Sequence, residues 1–252
     1  MIEDNAQSAG AKYQGNFSGT IGDIGIFSLN VHKVIQSGEG GMLVTNDKNI
    51  ALRAQLVRNH GEVVVDQMHN WGLDPIIGSN YRLSEIAAVI SVEQLKKLDF
   101  LNKWRIRLAN RLITNLKRID GIELFGASLN NNVAYYLFPF KYDEDKVGVP
   151  RAIFIEALKA EGFPVSGGYV KPIYLLPLYR QKKIYNNTSF PFDYKRNLNS
   201  INYNLGDCPI CERMYFKELV LTPICQYPYT IKHVNQFSLA VKKVLHNREQ
   251  LA

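Results

Sequence analysis

Two short apolar runs, residues 24–29 and 42–45, are joined by a polar connection that ends in a glycine cluster at residues 38–41. This pattern predicts two strands linked by a turn-rich loop. The connection also holds Lys33. An amine becomes a nucleophile, able to form a Schiff base with a carbonyl compound, when burial or a nearby cation favours loss of its proton. Lys33 is therefore a candidate nucleophile; the alternative is a solvated loop lysine, since most lysines are exposed.

Polar side chains follow the apolar residues at the start of the chain. Residues 3–10 include the carboxylates of Glu3 and Asp4, directly after a short apolar stretch. In open α/β sheets, ligands bind beyond the carboxyl ends of strands, which makes Asp4 a candidate ligand contact. An aspartate facing a pyridine ring would keep the ring nitrogen protonated, the form in which pyridoxal phosphate acts as an electron sink. The alternative for Asp4 is a turn residue or a helix cap.

A third polar segment, residues 78–85, precedes a predicted helix. Ser79 and Asn80 stand at the expected N-cap, and exposed amides at a helix start attract anions such as phosphate. Apolar residues at helical spacing predict one buried face of this helix. These residues are Leu83, Ile86, Ala87, Ile90, Leu95 and Leu98. The alternative is an ordinary capped helix without a ligand.

Five segments, taken in their order along the chain, resemble one known family. They are residues 3–7, 27–33, 38–41, 58–61 and 78–82. Together they closely resemble the DegT/DnrJ/StrS family of pyridoxal-phosphate aminotransferases, which act mainly on nucleotide-linked keto sugars. The resemblance carries specific motifs to about residue 101 and is looser beyond it.

This resemblance implies an α/β fold of the aspartate-aminotransferase-like class, fold type I. Residues 1–105 would form the C-terminal portion of the large, PLP-binding domain, with a mainly parallel sheet and helices. Residues 106–252 would form a smaller C-terminal α/β domain.

The resemblance also implies a role for individual residues. Lys33 would be the Schiff-base lysine that holds the cofactor and moves protons. The other implied contacts are Asp4 at the pyridinium nitrogen, Ala6 against one ring face, Gln7 at the phenolic oxygen, Ser28 at the phosphate, and Asn80 at the phosphate of a neighbouring subunit's cofactor. The active sites would therefore be shared within a homodimer.

The implied reaction has two halves, in which an amino donor, commonly glutamate, loads the cofactor and the keto sugar then takes the amino group. Some relatives carry histidine in place of the lysine and dehydrate the sugar, so Lys33 favours transamination. His32 lies beside it and is a candidate substrate contact. Its alternatives are a supporting hydrogen bond and simple exposure.

Residues 169–179, rich in tyrosine and proline, are the candidate substrate loop. Tyr169, Lys171 and Tyr174 offer aromatic rings and a cation, which suit the base and the diphosphate of a sugar nucleotide. Many family members carry histidine where Tyr174 stands, so the sugar specificity does not transfer. The alternative is a packed irregular loop.

The resemblance begins in the middle of a family strand, so we expect an N-terminally truncated form of the enzyme. A family phosphate-binding Gly-Thr turn and several sheet strands have no counterpart here. The alternative function is a non-catalytic remnant or split subunit that dimerises or binds a partner.

Composition excludes several other classes. The net charge is +7, but the basic residues are scattered and form no reader motif, so we expect no nucleic-acid binding. Such charge also attracts a nucleotide-sugar diphosphate. The three cysteines, without a targeting segment or membrane span, indicate a cytoplasmic protein. We expect no metal site, because one Cys pair is a weak signal for zinc. The residues that could form such a site are Cys208, Cys211, Cys225 and His233.

The rest of the chain alternates predicted helices and strands. Residues 101–119 predict an amphipathic helix, with Trp104, Leu108, Leu112 and Leu116 in the core. Further predicted elements are a strand at 134–140, a helix at 150–161, a strand at 162–165, and helices at 207–219 and 230–245.

Overall fold

A computed structural model describes residues 1–61, 76–125, 133–185, 188, 190–192 and 202–251. The chain divides into two compact units. The first contains Met1–Arg107 and Gly126–Tyr136, and the second contains Leu108–Phe125 and Leu137–Ala252.

The described part of the first unit contains five short strands. They are β1 (Ile2–Asp4), β2 (Lys12–Tyr13), β3 (Asn16–Phe17), β4 (Ile24–Ser28) and β5 (Gly41–Val44). One sheet has the order β1-β4-β5, with β1 parallel and β5 antiparallel to β4, while β2 and β3 form a hairpin. The described sheet is therefore mixed, where the resemblance implied a mainly parallel one. Residues 29–40 connect β4 to β5 without the helical crossover that a parallel pair needs.

The helices described next along the chain are α1 (Lys48–Arg58), α2 (Glu85–Leu95) and α3 (Leu98–Leu116). The predicted N-cap of α2 is wrong, because Ser84 caps the helix by accepting a hydrogen bond from the Ala87 amide at 3.2 Å. Ser79 is instead paired with the end of α1, where its amide donates to the Val57 carbonyl at 2.8 Å. This pairing keeps the segment before Ser84 extended.

The prediction of a single buried face on α2 is also wrong. Ile86 is 76% exposed, Ile90 and Leu95 are exposed too, and Ser91 alone is buried in this helix. The helix is apolar on all sides, which is typical of helices that other parts of a protein surround. The described part of the first unit covers only the side around Ser91.

The second unit is built on an antiparallel sheet of order β6-β7-β9-β8. Its strands are β6 (Ile122–Leu124), β7 (Phe138–Tyr142), β8 (Ser166–Gly167) and β9 (Leu219–Thr222). Its helices are α4 (Glu144–Val147), α5 (Arg151–Ala160), α6 (Pro177–Arg180), α7 (Pro209–Arg213) and α8 (Ile231–His246), with 3-10 helices at Ile173–Leu175 and Arg248–Gln250 and a π-helical turn at Met214–Glu218.

The core of the second unit follows the expected periodicities. Leu108, Leu112 and Leu116, four residues apart on α3, are all buried, as the sequence predicts. On β7, alternate side chains are buried, and these are Phe138, Phe140 and Tyr142. Trp104, the other predicted core residue of this helix, is half-buried and belongs to the first unit.

Several predicted boundaries need correction. The strand predicted at 134–140 begins at Phe138, and the one predicted at 162–165 begins at Ser166. The helix predicted at 207–219 ends as an α-helix at Arg213, and Leu219 already begins β9. In the part of the chain that the structure describes, the helices are too short or too polar to cross a membrane.

Candidate functional site

Asp4 and Ser28 end two neighbouring parallel strands. Asp4 is the last residue of β1 and is paired in register with Ile26 of β4. Because side chains alternate along a strand, Ser28, two residues after Ile26, faces the same side of the sheet as Asp4. The carboxyl ends of parallel strands meet at one edge of the sheet. A carboxylate and a hydroxyl therefore share one face near one edge.

Hydrogen bonds fix the turn after Asp4. The Asp4 carboxylate is exposed and accepts a hydrogen bond from the Ala6 amide at 3.0 Å. The buried Asn5 donates its amide to the Ile26 carbonyl at 2.8 Å, and its side chain accepts from the Ser8 hydroxyl at 2.8 Å. Asp4 thus makes the turn contact that the alternative predicted, while its carboxylate stays accessible. Gln7 is exposed in the same turn.

Glu3 has a separate, structural role on the opposite face of β1. Its carboxylate accepts hydrogen bonds from the amides of Gly22, Gly19 and Ile21. These amides, with Gly22 and Gly19 contributing most, hold the pKa of Glu3 below its usual range, although burial opposes them. Alternation along β1 therefore separates the two carboxylates that the sequence places side by side.

Lys33 lies on a closed loop after β4. Its amide donates to the Asn30 carbonyl at 2.9 Å, and the Ser28 hydroxyl accepts from the Asn30 amide at 3.3 Å. The Leu29 amide donates to the Gly40 carbonyl at 2.8 Å, which ties the loop to the start of β5. Lys33 is half-buried. The loop therefore brings an amine close, along the chain, to the carboxyl end of β4.

The ring of Tyr136 lies against this amine. The distance from the Lys33 Nζ atom to the ring centroid is 5.1 Å. The sequence predicts a strand at 134–140, which includes Tyr136, and predicts no functional role for this residue. Tyr136 is about one hundred residues from Lys33 in the sequence, and the fold brings the two together. Local periodicity does not predict such a contact.

The fold joins two of the matched segments, residues 58–61 and 78–82. The Tyr81 amide donates to the Arg58 carbonyl at 2.9 Å, and the Arg82 guanidinium donates to the Asn59 side chain at 2.5 Å. Asn80 is exposed and accepts from the Arg82 amide at 3.4 Å. Asn80 also forms an isolated antiparallel bridge with Asn59. His32 is also exposed, and its amide donates to the Asn30 side chain.

The candidate substrate loop is partly packed. Tyr169 and Lys171 are exposed, whereas Tyr174 is half-buried on a 3-10 helix. The Tyr174 hydroxyl donates to the carboxylate of Glu212, a residue that sequence analysis did not single out. Glu212 is only 8% exposed and also accepts from the Gly206 amide at 2.7 and 2.9 Å.

Each member of this pair shifts the pKa of the other. Burial first, and then the hydrogen bond to Glu212, raise the pKa of Tyr174. The hydrogen bond from Tyr174 lowers the pKa of Glu212, and the amides of Gly206 and Cys208 add to this against the effect of burial. Tyr174 therefore stays protonated and Glu212 ionised near neutral pH.

The cysteines are spread over different environments. Cys208 and Cys211 are exposed thiols, and Cys225 is buried. The Nδ1 atom of His233 accepts from the Thr230 amide at 3.1 Å and caps α8. In the ranges that the structure describes, no group of three or more His, Cys, Asp or Glu side chains is placed to hold a metal ion.

Known proteins similar to this chain identify its family. A profile of the DegT/DnrJ/EryC1/StrS aminotransferase family matches residues 1–197. The chain is 32% identical over 260 residues to L-glutamine:2-deoxy-scyllo-inosose aminotransferase of Streptoalloteichus tenebrarius, covering 100% of this chain and 60% of that protein. It is 31% identical over 180 residues to GDP-perosamine synthase of Caulobacter vibrioides, covering 71% of this chain and 47% of that protein.

Solved structures agree with this assignment. The fold matches DesV of S. venezuelae with a TM-score of 0.75 and 25% identity, over 97% of this chain and 57% of that one. The chain spans about three fifths of the length of the first curated relatives it matches. Aminotransferases of this family depend on pyridoxal phosphate. Because the family profile covers most of the sequence and relatives match it along its whole length, the chain belongs to the DegT/DnrJ/EryC1/StrS aminotransferase family.

Proposed function

We propose that this chain carries the lysine and the ring contacts of a pyridoxal-phosphate-dependent enzyme that transfers an amino group, from glutamate, to a nucleotide-linked keto sugar. One observation carries the proposal. Asp4 and Ser28 end neighbouring parallel strands on one sheet face, and the loop that follows β4 holds Lys33.

The residues present fit the cofactor chemically. Asp4 offers an exposed carboxylate for a pyridinium nitrogen, and Ser28 offers a hydroxyl for a phosphate. Lys33 supplies the amine that bonds to the cofactor aldehyde. Ala6 has a side chain small enough to leave room for a flat ring, and Gln7 supplies an amide for the phenolic oxygen. When bound, pyridoxal phosphate supplies an electron sink that stabilises a carbanion at the substrate carbon.

The chain's own residues would then have separate chemical roles. The negative charge of Asp4 holds the proton on the ring nitrogen, because an opposite charge at contact favours the charged form. The Lys33 amine accepts a proton at Nζ and returns it, acting as general base and then general acid. The hydrogen bonds of the loop around Asn30 fix the backbone from which Lys33 extends.

The acceptor sugar is proposed from the relatives and from the exposed loop. GDP-perosamine synthase is named for a nucleotide-linked sugar, and a solved relative, DesI, was crystallised in the presence of its TDP-sugar product. Exposed Tyr169 and Lys171 offer a ring and a cation to such a substrate. His32 is exposed next to Lys33 and remains a candidate contact.

A second candidate acceptor is a keto cyclitol, with glutamine as the donor. Two relatives, 32% and 30% identical to the whole chain, are named for L-glutamine and an inosose. Each donor, glutamate or glutamine, is labelled with ¹⁵N in the amino group that is transferred. Mass spectrometry then shows whether the labelled product is an amino sugar nucleotide or an amino cyclitol, which distinguishes the two acceptors.

The remaining proposals concern assembly and location. We infer a homodimer in which exposed Asn80 reaches the phosphate of the neighbouring subunit's cofactor. The exposed apolar side chains of α2, including Ile86 and Val89, offer a surface for another polypeptide to cover. The alternative function is a chain that dimerises or binds a partner without turning over substrate alone. The exposed thiols of Cys208 and Cys211 suit a cytoplasmic location.

The test is covalent trapping of the cofactor on the purified chain. Borohydride reduces the bond between an amine and pyridoxal phosphate, and peptide mapping then locates the labelled lysine. We expect one label, on Lys33, that is absent in Lys33→Ala and retained in Lys103→Ala, a matched change of an exposed lysine in the same unit. Label spread over many lysines, or none, would contradict a cofactor site in this chain.

A further inference from the structure

Lys33 has an aromatic neighbour that the proposed roles do not use. Its Nζ atom lies 5.1 Å from the centroid of the Tyr136 ring. A cation within about 6 Å of a ring face is attracted by the negative charge density of that face. The lysine side chain has a flexible four-carbon stem, so an amine without such a contact samples many positions. The ring therefore restricts where the amine lies.

Arg105 on α3 holds the backbone that carries this ring. Its Nη1 atom donates to the carbonyl oxygens of Tyr135 at 2.7 Å and Tyr136 at 3.0 Å. Arg105 is only 7% exposed. A guanidinium removed from water must be compensated by hydrogen bonds, which commits Arg105 to this segment. The segment is thereby attached to a 19-residue helix rather than left as a free loop.

The lysine is fixed from its own side as well. The Lys33 amide is bonded to the Asn30 carbonyl, and the Asn30 side chain donates to Glu39 at 2.8 Å. The backbone of Lys33 and the backbone of Tyr136 are thus both anchored. The contact between the amine and the ring joins two constrained segments, so it defines a position for Nζ.

We propose that Tyr136 is a positioning residue for Lys33 and that Arg105 acts through Tyr136. The ring holds the protonated amine at one place whenever Lys33 is free to carry a proton. This inference rests on the proposed function, because the position of the amine matters for catalysis only if Lys33 is the residue that bonds to the cofactor. The aromatic face, and not the hydroxyl, carries the effect, so phenylalanine can replace Tyr136.

The first experiment needs neither cofactor nor activity. The lysines of the purified chain are reductively dimethylated with ¹³C-formaldehyde and a borane reductant, and the Lys33 signal is assigned by its loss in Lys33→Arg. We expect the ring to shift the Lys33 methyl resonance upfield of exposed lysines such as Lys103. The shift persists in Tyr136→Phe and disappears in Tyr136→Leu. Tyr81→Leu, which changes an exposed tyrosine of the same unit, leaves it unchanged.

Arg105→Met tests the second half of the proposal. It removes both hydrogen bonds to the Tyr135 and Tyr136 carbonyls, so the upfield shift should decrease although the ring is still present. If circular dichroism shows that Arg105→Met does not fold, Tyr136→Phe and Tyr136→Leu still decide the proposal. Neither variant removes the bonds of Arg105, because these bonds go to backbone carbonyls.

The second experiment measures the initial rate of borohydride-trapped labelling of Lys33 by pyridoxal phosphate. We expect equal rates in wild type and Tyr136→Phe. The rate in Tyr136→Leu should change by about two- to five-fold, because the ring both positions the amine and stabilises its protonated, unreactive form. An upfield resonance without any labelling would contradict the proposed function but support the position of the amine. An unshifted wild-type resonance, or equal labelling in wild type and Tyr136→Leu, would overturn the inference.

Discussion

The hydroxyl of Tyr174 donates its hydrogen bond to the buried carboxylate of Glu212. This bond joins the candidate substrate loop to the first turn of α7. Because the hydroxyl hydrogen is committed to Glu212, Tyr174 can offer a ligand only its ring and its oxygen lone pairs. We infer that any contact with a substrate hydroxyl at this residue has Tyr174 as the acceptor.

Removing the Tyr174 hydroxyl should destabilise the second unit. Tyr174→Phe takes one partner from the carboxylate of Glu212, which remains buried, and we expect Tm to fall by about 2–4 °C. Differential scanning calorimetry measures the change. Tyr185→Phe makes the same change at an exposed tyrosine of the second unit, so it is the control and should leave Tm unchanged. Equal Tm values for the two variants would refute the role of the bond.

The same pair predicts a loss of stability at alkaline pH. The pKa of Tyr174 is raised in the folded chain, whereas an unfolded tyrosine titrates near about 10. A raised folded pKa contributes stability that is complete below the unfolded pKa and is lost as pH rises above it. The free energy of unfolding in urea should therefore fall more steeply above about pH 10 in wild type than in Tyr174→Phe. Parallel curves would show that Tyr174 titrates normally.

Local patterns were enough to predict the loop that carries Lys33. Glycines and polar residues between two apolar runs predict a strand, a turn-rich loop and a strand, and the observed strands end at Ser28 and begin at Gly41. The core positions of α3 were predictable for a similar reason, since Leu108 and Leu112 repeat at helical spacing.

Long-range packing explains what sequence patterns could not supply. Ser79 and Ser84 are both good N-caps, and only the pairing of Ser79 with α1 decides between them. The exposure of Ile86 does not follow from periodicity, because α2 is apolar on every side. Tyr136 reaches Lys33 through a fold contact between distant segments, and no spacing rule encodes that contact.

Glu3 should stabilise the first unit in a pH-dependent way. Three backbone amides lower its pKa, so its contribution is present above the unfolded value, about 4.3, and is lost as pH falls through the lower folded value. Glu3→Gln should lower Tm at pH 7, with the difference from wild type disappearing in acid. The control is Glu93→Gln, which removes only a surface ion pair with Lys96. A pH-independent effect of Glu3→Gln would contradict this account.

The core of the second unit offers a test of packing. Leu112 is 0% exposed, and Leu112→Ala should reduce the free energy of unfolding by about 2–5 kcal/mol, because it leaves a cavity. Leu239→Ala makes the same chemical change at a residue of α8 that is 64% exposed, and should stay within about 0.5 kcal/mol of wild type. Urea unfolding distinguishes the two, and equal losses would show that Leu112 is not part of a packed core.

Asp4 provides the sharpest test of the cofactor site. If its carboxylate pairs with a protonated ring nitrogen, Asp4→Asn removes a charge-assisted hydrogen bond at almost constant side-chain volume. The concentration of pyridoxal phosphate needed for half-maximal labelling of Lys33 should then rise about ten-fold.

Asp120→Asn, which changes an exposed aspartate of the second unit, should leave that concentration unchanged. Because Asp4 is exposed and its carboxylate accepts a local turn contact from the Ala6 amide, Asp4→Asn should not alter Tm. An unchanged labelling curve with an unchanged Tm would mean that Asp4 is a turn residue, as the alternative interpretation of the sequence predicts. A changed labelling curve with an unchanged Tm would assign the charge of Asp4 to the ligand and not to the fold.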